Sequence, residues 1–151
     1  MHNDYFMKLA FEQALIAFKK NDVPVGALIV KNNKVISKAY NKKNIKKNAI
    51  MHAEIIAIEK ACKKLKTWYL DDCILYVTME PCLMCCGAIL QSRIKKVVYG
   101  TKCSKFGYAG SIDNVLNSKK NNHCVEVLGG VYNDECSQIL KDFFSLKRNK
   151  F

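Results

Sequence analysis

Proline occurs only twice in this chain, arginine twice and tryptophan once, and uninterrupted apolar runs stay short, as in VPVGALIV at residues 23–30. Scarce proline with half of the residues hydrophobic excludes a disordered or low-complexity segment. Runs this short cannot cross a bilayer, which needs about 20 apolar residues, so no membrane association is expected. The opening MHNDYFMKLAFEQALIAFKK lacks a basic lead, an unbroken apolar block and a small-residue cleavage site. It reads as a helix, and the expected location is the cytoplasm. Repeats and linkers are also absent, and 151 residues fit a single domain over 1–151. Acidic residues are the other shortage, 13 against 25 basic, giving a net charge of +12. That imbalance favours a polyanionic partner. Cysteine, by contrast, is plentiful at eight. Without an export signal these thiols are expected to stay reduced, and Cys62 and Cys73 sit among apolar neighbours as core residues.

The apolar pattern predicts alternating helices and strands. A helix over 4–20, apolar on most of its surface, is expected to be buried on more than one side. VGALIV, KNNK and VISKAY predict a β-hairpin, with Asn32 and Asn33 tolerating the positive φ of its turn. A lysine-rich loop follows over 41–48. A helix over 52–65 is expected to bury a stripe of Ile55, Ile58, Cys62 and Leu65. CILYVT suits a central strand covered on both faces, and Pro81 fits the first turn of a helix running to about Ser92. KKVVYG is a further strand, and a glycine-containing loop over 101–111 leads to a short helical piece near 112–117. CVEVLGG over 124–130 is the last strand and 132–148 the last helix. The alternation points to a three-layer α/β/α sandwich around a mixed sheet of about five strands.

Two fragments carry chemistry, MHAE at 51–54 and EPCLMCCGA at 80–88. Cys82 and Cys85 are three apart, which puts both sulfurs on one side of a helix. At a helix N-terminus the dipole and free N–H groups stabilise thiolates. By itself such a pair equally marks a redox couple, a structural zinc half-site or coincidence. His52 and Glu54 can serve one pocket only if their helix starts at or near His52, because residues two apart diverge in mid-helix. Taken alone they also fit a buried structural pair. Joined, one His and two Cys make three protein ligands with a fourth tetrahedral position open, the arrangement of a catalytic zinc site. Glu54 beside it suits a proton shuttle. Cys86 points away from the pair and reads as core.

H-x-E followed by P-C-x-x-C is the zinc deaminase signature. With DVPVGA, YNKK, LYVTMEPCLMCCGAILQSRI, YAGS, NNHCVEVLGGV and DECSQILKDFF, the chain resembles the bacterial tRNA adenosine deaminases from about residue 4 to 148. The resemblance implies a cytidine-deaminase-like fold and hydrolysis of adenosine to inosine at anticodon wobble position 34. One Zn2+ per chain would be held by His52, Cys82 and Cys85, with attack at adenine C6 and Glu54 as proton shuttle. It implies that Asn41 reads the adenine edge, although on sequence alone Asn41 is a turn residue after a strand. Ala53 and Val25 would line the pocket. The tRNA anticodon arm would be the partner, with a homodimer as the assembly and no organic cofactor. RNA contacts would come from Cys103, Lys105, Phe143, Phe144, Lys147 and Arg148, where aromatic and basic residues mix. Three basic groups are expected to border the pocket: Lys42, Lys43, Lys46 and Lys47; Lys102 and Lys105; and Lys147, Arg148 and Lys150. One departure stands out: Cys103 occupies a position where the family commonly has an acidic residue, near the expected ribose contact. Two alternatives share the signature, a free base or nucleoside deaminase and a non-catalytic zinc RNA-binding subunit.

Overall fold

The computed structural model describes residues 2–148, which leaves Lys150 outside the described residues. Helix α1 (His2–Lys19) leads into a hairpin of β1 (Gly26–Lys31) and β2 (Lys34–Tyr40). Then come α2 (Ala53–Leu65), β3 (Cys73–Met79), α3 (Leu83–Gln91) and β4 (Lys96–Thr101). A long loop with a 3-10 turn at Val115–Asn117 precedes β5 (Glu126–Leu128) and α4 (Asn133–Arg148). The sheet order is β2-β1-β3-β4-β5. β1 runs antiparallel to β2 and β3, whereas β3, β4 and β5 are parallel, so the sheet is mixed as expected.

Strand side chains alternate between two cores. Leu28, Val30, Tyr76 and Val98 pack with Phe6, Met7 and Ala10 of α1 and Cys136 of α4. Ala27, Ile29, Leu75, Val77 and Val97 pack with Ala53, Ala57 and Ala61 of α2 and with Cys86 and Ile89 of α3. The result is the three-layer sandwich, with β3 at its centre. The hairpin turn uses Asn32 and Asn33 at φ 51° and 61°, the left-handed pair a two-residue turn requires. Gly26 lets α1 lie directly on β1, since a Cβ there would fall 2.0 Å from the Ala10 carbonyl oxygen.

Four expectations need correction. Helix α1 buries one face, through Phe6, Met7, Ala10, Ala14 and Ala17, and leaves Tyr5 and Leu15 exposed. Helix α2 buries Ala53, Ile56, Ala57 and Ala61 most deeply, while Ile55, Ile58, Cys62 and Leu65 are only half-buried. Small alanines let this helix approach the sheet closely, so the larger residues flank the contact. Pro81 precedes the N-cap of α3 instead of sitting in its first turn. The last strand shortens to Glu126–Leu128 because the chain turns at Gly129 and Gly130, the latter at φ 89°. There the amides of Gly130 and Val131 donate to the Gly100 and Tyr99 carbonyls.

Candidate metal centre and pocket

Helices α2 and α3 both begin beside the carboxyl end of β3, where open α/β sheets place their ligand crevices. Their N-caps are His52 and Cys82, and neither side chain caps its own helix. The two turn toward each other instead. Cys82 Sγ and Cys85 Sγ lie 3.7 and 3.6 Å from His52 Nδ1, and all three donor atoms fall within 4.8 Å of one another. Tetrahedral zinc, with bonds of about 2.3 Å to sulfur and 2.0–2.1 Å to nitrogen, separates such donors by about 3.6 Å. The donor set and its spacing therefore fit zinc. Cys86 is not a fourth donor: its Sγ is directed at the Pro81 carbonyl, and burial pushes its thiol up to about 12.

The electrostatics centre on one thiolate, that of Cys82. Hydrogen bonding from Cys85 and His52 draws the Cys82 thiol down to about 4 against the cost of burial. The same contact, reinforced by burial, pushes the Cys85 thiol far above its ordinary range. Hydrogen bonding to Cys82 raises the His52 imidazole. Two helix N-termini meeting here add positive ends of backbone dipoles. Glu54 sits in the first turn of α2, so the N-cap position of His52 resolves the divergence of residues two apart. Its carboxyl is buried, and desolvation raises it to about 7, with the nearby Cys82 sulfur adding to the rise.

His52, Glu54 and Cys82 open into a cavity of about 370 Å³, a size typical of small-molecule sites. Val23, Val25, Asn41, Lys43 and Met79 form one part of its lining, and Glu80, Cys103, Phe106 and Phe144 another. Asn41 is buried, and its side-chain oxygen accepts the Lys43 N–H at 2.8 Å. It is thus the turn residue the sequence suggests, yet its amide NH2 remains available to a ligand. Ala53 is fully buried beneath the site in the α2 core. Asp22, also buried, accepts the Asn44 and Ile45 N–H groups at 3.0 Å and so ties down the lysine-rich loop next to Asn41.

The aromatic pair of α4 divides. Phe144 is 46% exposed and lines the cavity, whereas Phe143 is 4% exposed and packs edge-on against Phe18. Phe143 therefore offers no free face for a base. Lys147 stands over the Phe143 ring at 5.5 Å and borders a small cavity with Phe18 and Asn21. Arg148 shares a groove with Lys102, Lys141 and Phe144. Lys105 is exposed on the 102–111 loop outside the cavity lining. Sequence reasoning gave two residues here no place in the pocket lining. Phe106 is an exposed wall of the cavity. Glu80 is a buried carboxylate whose only signal is its place directly before Pro81 and Cys82.

A family model described as MafB19-like deaminase matches residues 1–148, which sets the class. A tRNA-specific adenosine deaminase of Rickettsia bellii is 46% identical, over 95% of this chain and 100% of its own. One from Bacillus subtilis is 42% identical, over 98% of this chain and 92% of its own. A solved structure from a study of A-to-I editing by tRNA:A34 deaminases superposes with a TM-score of 0.86 at 34% identity, covering 90% of this chain and 99% of that one. The chain belongs to the tRNA-specific adenosine deaminase family.

Proposed function

We propose that the protein hydrolyses the 6-amino group of adenosine at the wobble position of a tRNA anticodon, leaving inosine and releasing ammonia. The observation that carries this reading is one pocket that joins a zinc-competent cluster, a buried carboxyl and a free amide donor. His52, Cys82 and Cys85 would hold one zinc per chain, and zinc bound there would supply the Lewis acidity that makes water a nucleophile near neutral pH. Glu54, poised near neutrality, would take a proton from the attacking water and pass it to the purine ring, then take the proton of the new C6 hydroxyl and pass it to the departing amine. Asn41 donates its amide N–H to a ring nitrogen of the base. Val25 packs against the base, and the backbone at Ala53 closes the pocket behind it. The target nucleotide must leave its stack to enter, and Phe144 and Phe106 offer aromatic faces at the mouth for splayed loop bases.

A second copy of the chain is expected to complete the assembly. Leu83 and Met84 are exposed on α3 beside the site, as are Ile45 and Ile50 on the neighbouring loop. Apolar side chains grouped in this way suit a protein contact. The assembly acts in the cytoplasm, where its substrate is.

The test is to incubate purified protein with an anticodon hairpin carrying adenosine at the wobble position, and separately with free adenosine, guanine and cytosine. Inosine and ammonia are expected from the hairpin alone. Ammonia from a free base without any from the hairpin would make the protein a nucleobase deaminase.

Phosphate contacts set the salt dependence. Each neutralised phosphate on a single strand contributes ~0.7 to the slope of log affinity against log salt. Removal of residues 147–151 is expected to flatten that slope, and the groove at Phe144 sharpens the prediction. Replacing Lys102, Lys141 and Arg148 together by glutamine should lower the slope by up to about 2, at ~0.7 for each. Glutamine at Lys63, Lys64 and Lys66, exposed at the far end of α2, should leave it unchanged. Hairpin titrations at several salt concentrations check both results.

A further inference from the structure

Glu80 directly follows β3 and lines the pocket, and its carboxylate turns to the loop instead of to the metal cluster. Oε1 accepts the Cys103 N–H at 3.0 Å and the Ser111 hydroxyl. Oε2 accepts the Ala109 and Ser111 N–H groups at 3.1 and 2.9 Å. The side chain is buried, and no Lys or Arg among the described residues pairs with it. Four neutral donors thus surround one carboxylate. Only an ionised carboxyl, with two acceptor-only oxygens, satisfies all four. Further contacts fasten the same loop. The Tyr108 N–H donates to the Pro81 carbonyl at 3.0 Å, and Gly107 bridges to Cys82. Gly107 is obligatory there, because a Cβ would lie 2.5 Å from the Cys103 carbonyl oxygen as well as 2.3 Å from the Glu80 carboxyl carbon. The loop held in this way carries Cys103 and Phe106, which line the pocket together with Val25 and Asn41.

We propose that Glu80 is a positioning residue that clamps the 102–111 loop onto the N-terminal end of α3 and so sets how tightly the RNA is gripped, while taking no part in the chemistry. The clamp's effect on RNA rests on the function proposed above. Its effect on the loop does not.

Glu80→Gln discriminates. The variant keeps one oxygen but adds an NH2. With the oxygen toward Ala109 and Ser111, the NH2 can donate to the Ser111 hydroxyl, but it must then face the Cys103 N–H. Amide exchange at Cys103 should accelerate about 10-fold or more, as an unpaired buried N–H implies, with Ala109 and Ser111 less affected. KM for the anticodon hairpin should rise about 10-fold with kcat held within about threefold, the signature of lost binding common to ground and transition states. Zinc should stay at one per chain. Gly107→Ala, which crowds both the carboxylate and the Cys103 carbonyl, should give the same KM-against-kcat split. Unchanged exchange and KM would overturn the proposal. So would a fall in kcat at constant KM, or loss of zinc. Should Glu80→Gln fail to fold, Ser111→Ala decides in its place: a smaller rise in KM at constant kcat supports the clamp, and an unchanged KM overturns it. If the parent protein does not deaminate the hairpin, the proposed substrate fails, but the exchange comparison, made without RNA, still decides whether Glu80 holds the loop.

Discussion

Glu54→Ala should lose turnover by more than the ~10²–10⁴ that a single proton-transfer role supplies, because one carboxylate serves several transfers. Zinc content and hairpin affinity should stay at parental levels. The geometry separates these effects. Glu54 is buried, lines the pocket that His52 and Cys82 also line, and is not one of the three donor residues. Truncation therefore removes neither a ligand nor a phosphate contact. Single-turnover deamination with saturating protein isolates the chemical step. A variant that still converts adenosine at a hundredth of the parental rate would show that another group moves the protons.

The second large effect concerns the cluster itself. Cys85→Ala leaves two donors where a catalytic zinc site has three. Metal content should fall from one per chain to a small fraction, with deamination falling in step. Cys86→Ala, one residue along, is the matched control. Its sulfur is buried in the α3 core and directed at the Pro81 carbonyl. That change should cost about 1 kcal/mol of packing and leave zinc in place. Metal analysis of protein purified without chelator checks both. Equal zinc in the two variants would mean that Cys85 is not a ligand.

How much of this could be read in advance depended on the range of each interaction. Cys82 and Cys85 are close in sequence, so their convergence follows from helical spacing and needs no tertiary knowledge. The helix start at His52 was legible because a polar loop precedes it. CILYVT announced a doubly covered strand through its unbroken apolar run. The part played by Glu80 was not legible, since its partners lie more than twenty residues away and depend on how a loop folds back. Phe143 and Phe144 are adjacent and chemically alike, and only the docking of α4 decides which one reaches solvent. The α2 stripe was misplaced for a similar reason. Hydrophobicity ranks isoleucine above alanine, but close approach to a sheet rewards the smaller side chain.

The 3.7 Å contact between His52 and Cys82 spans 30 positions of the chain. A metal ion gripping both would act as a cross-link, closing a loop that contains α2 and β3. In the chain-entropy treatment used for disulfides, a link across about 30 residues removes freedom from the unfolded chain worth about 3–4 kcal/mol. In a domain of this size that corresponds to a melting temperature about 10 °C higher with metal than without. None of the eight cysteines is in a disulfide, so zinc would supply a staple that no sulfur–sulfur bond provides. Chelation would then loosen the whole fold as well as silence the pocket.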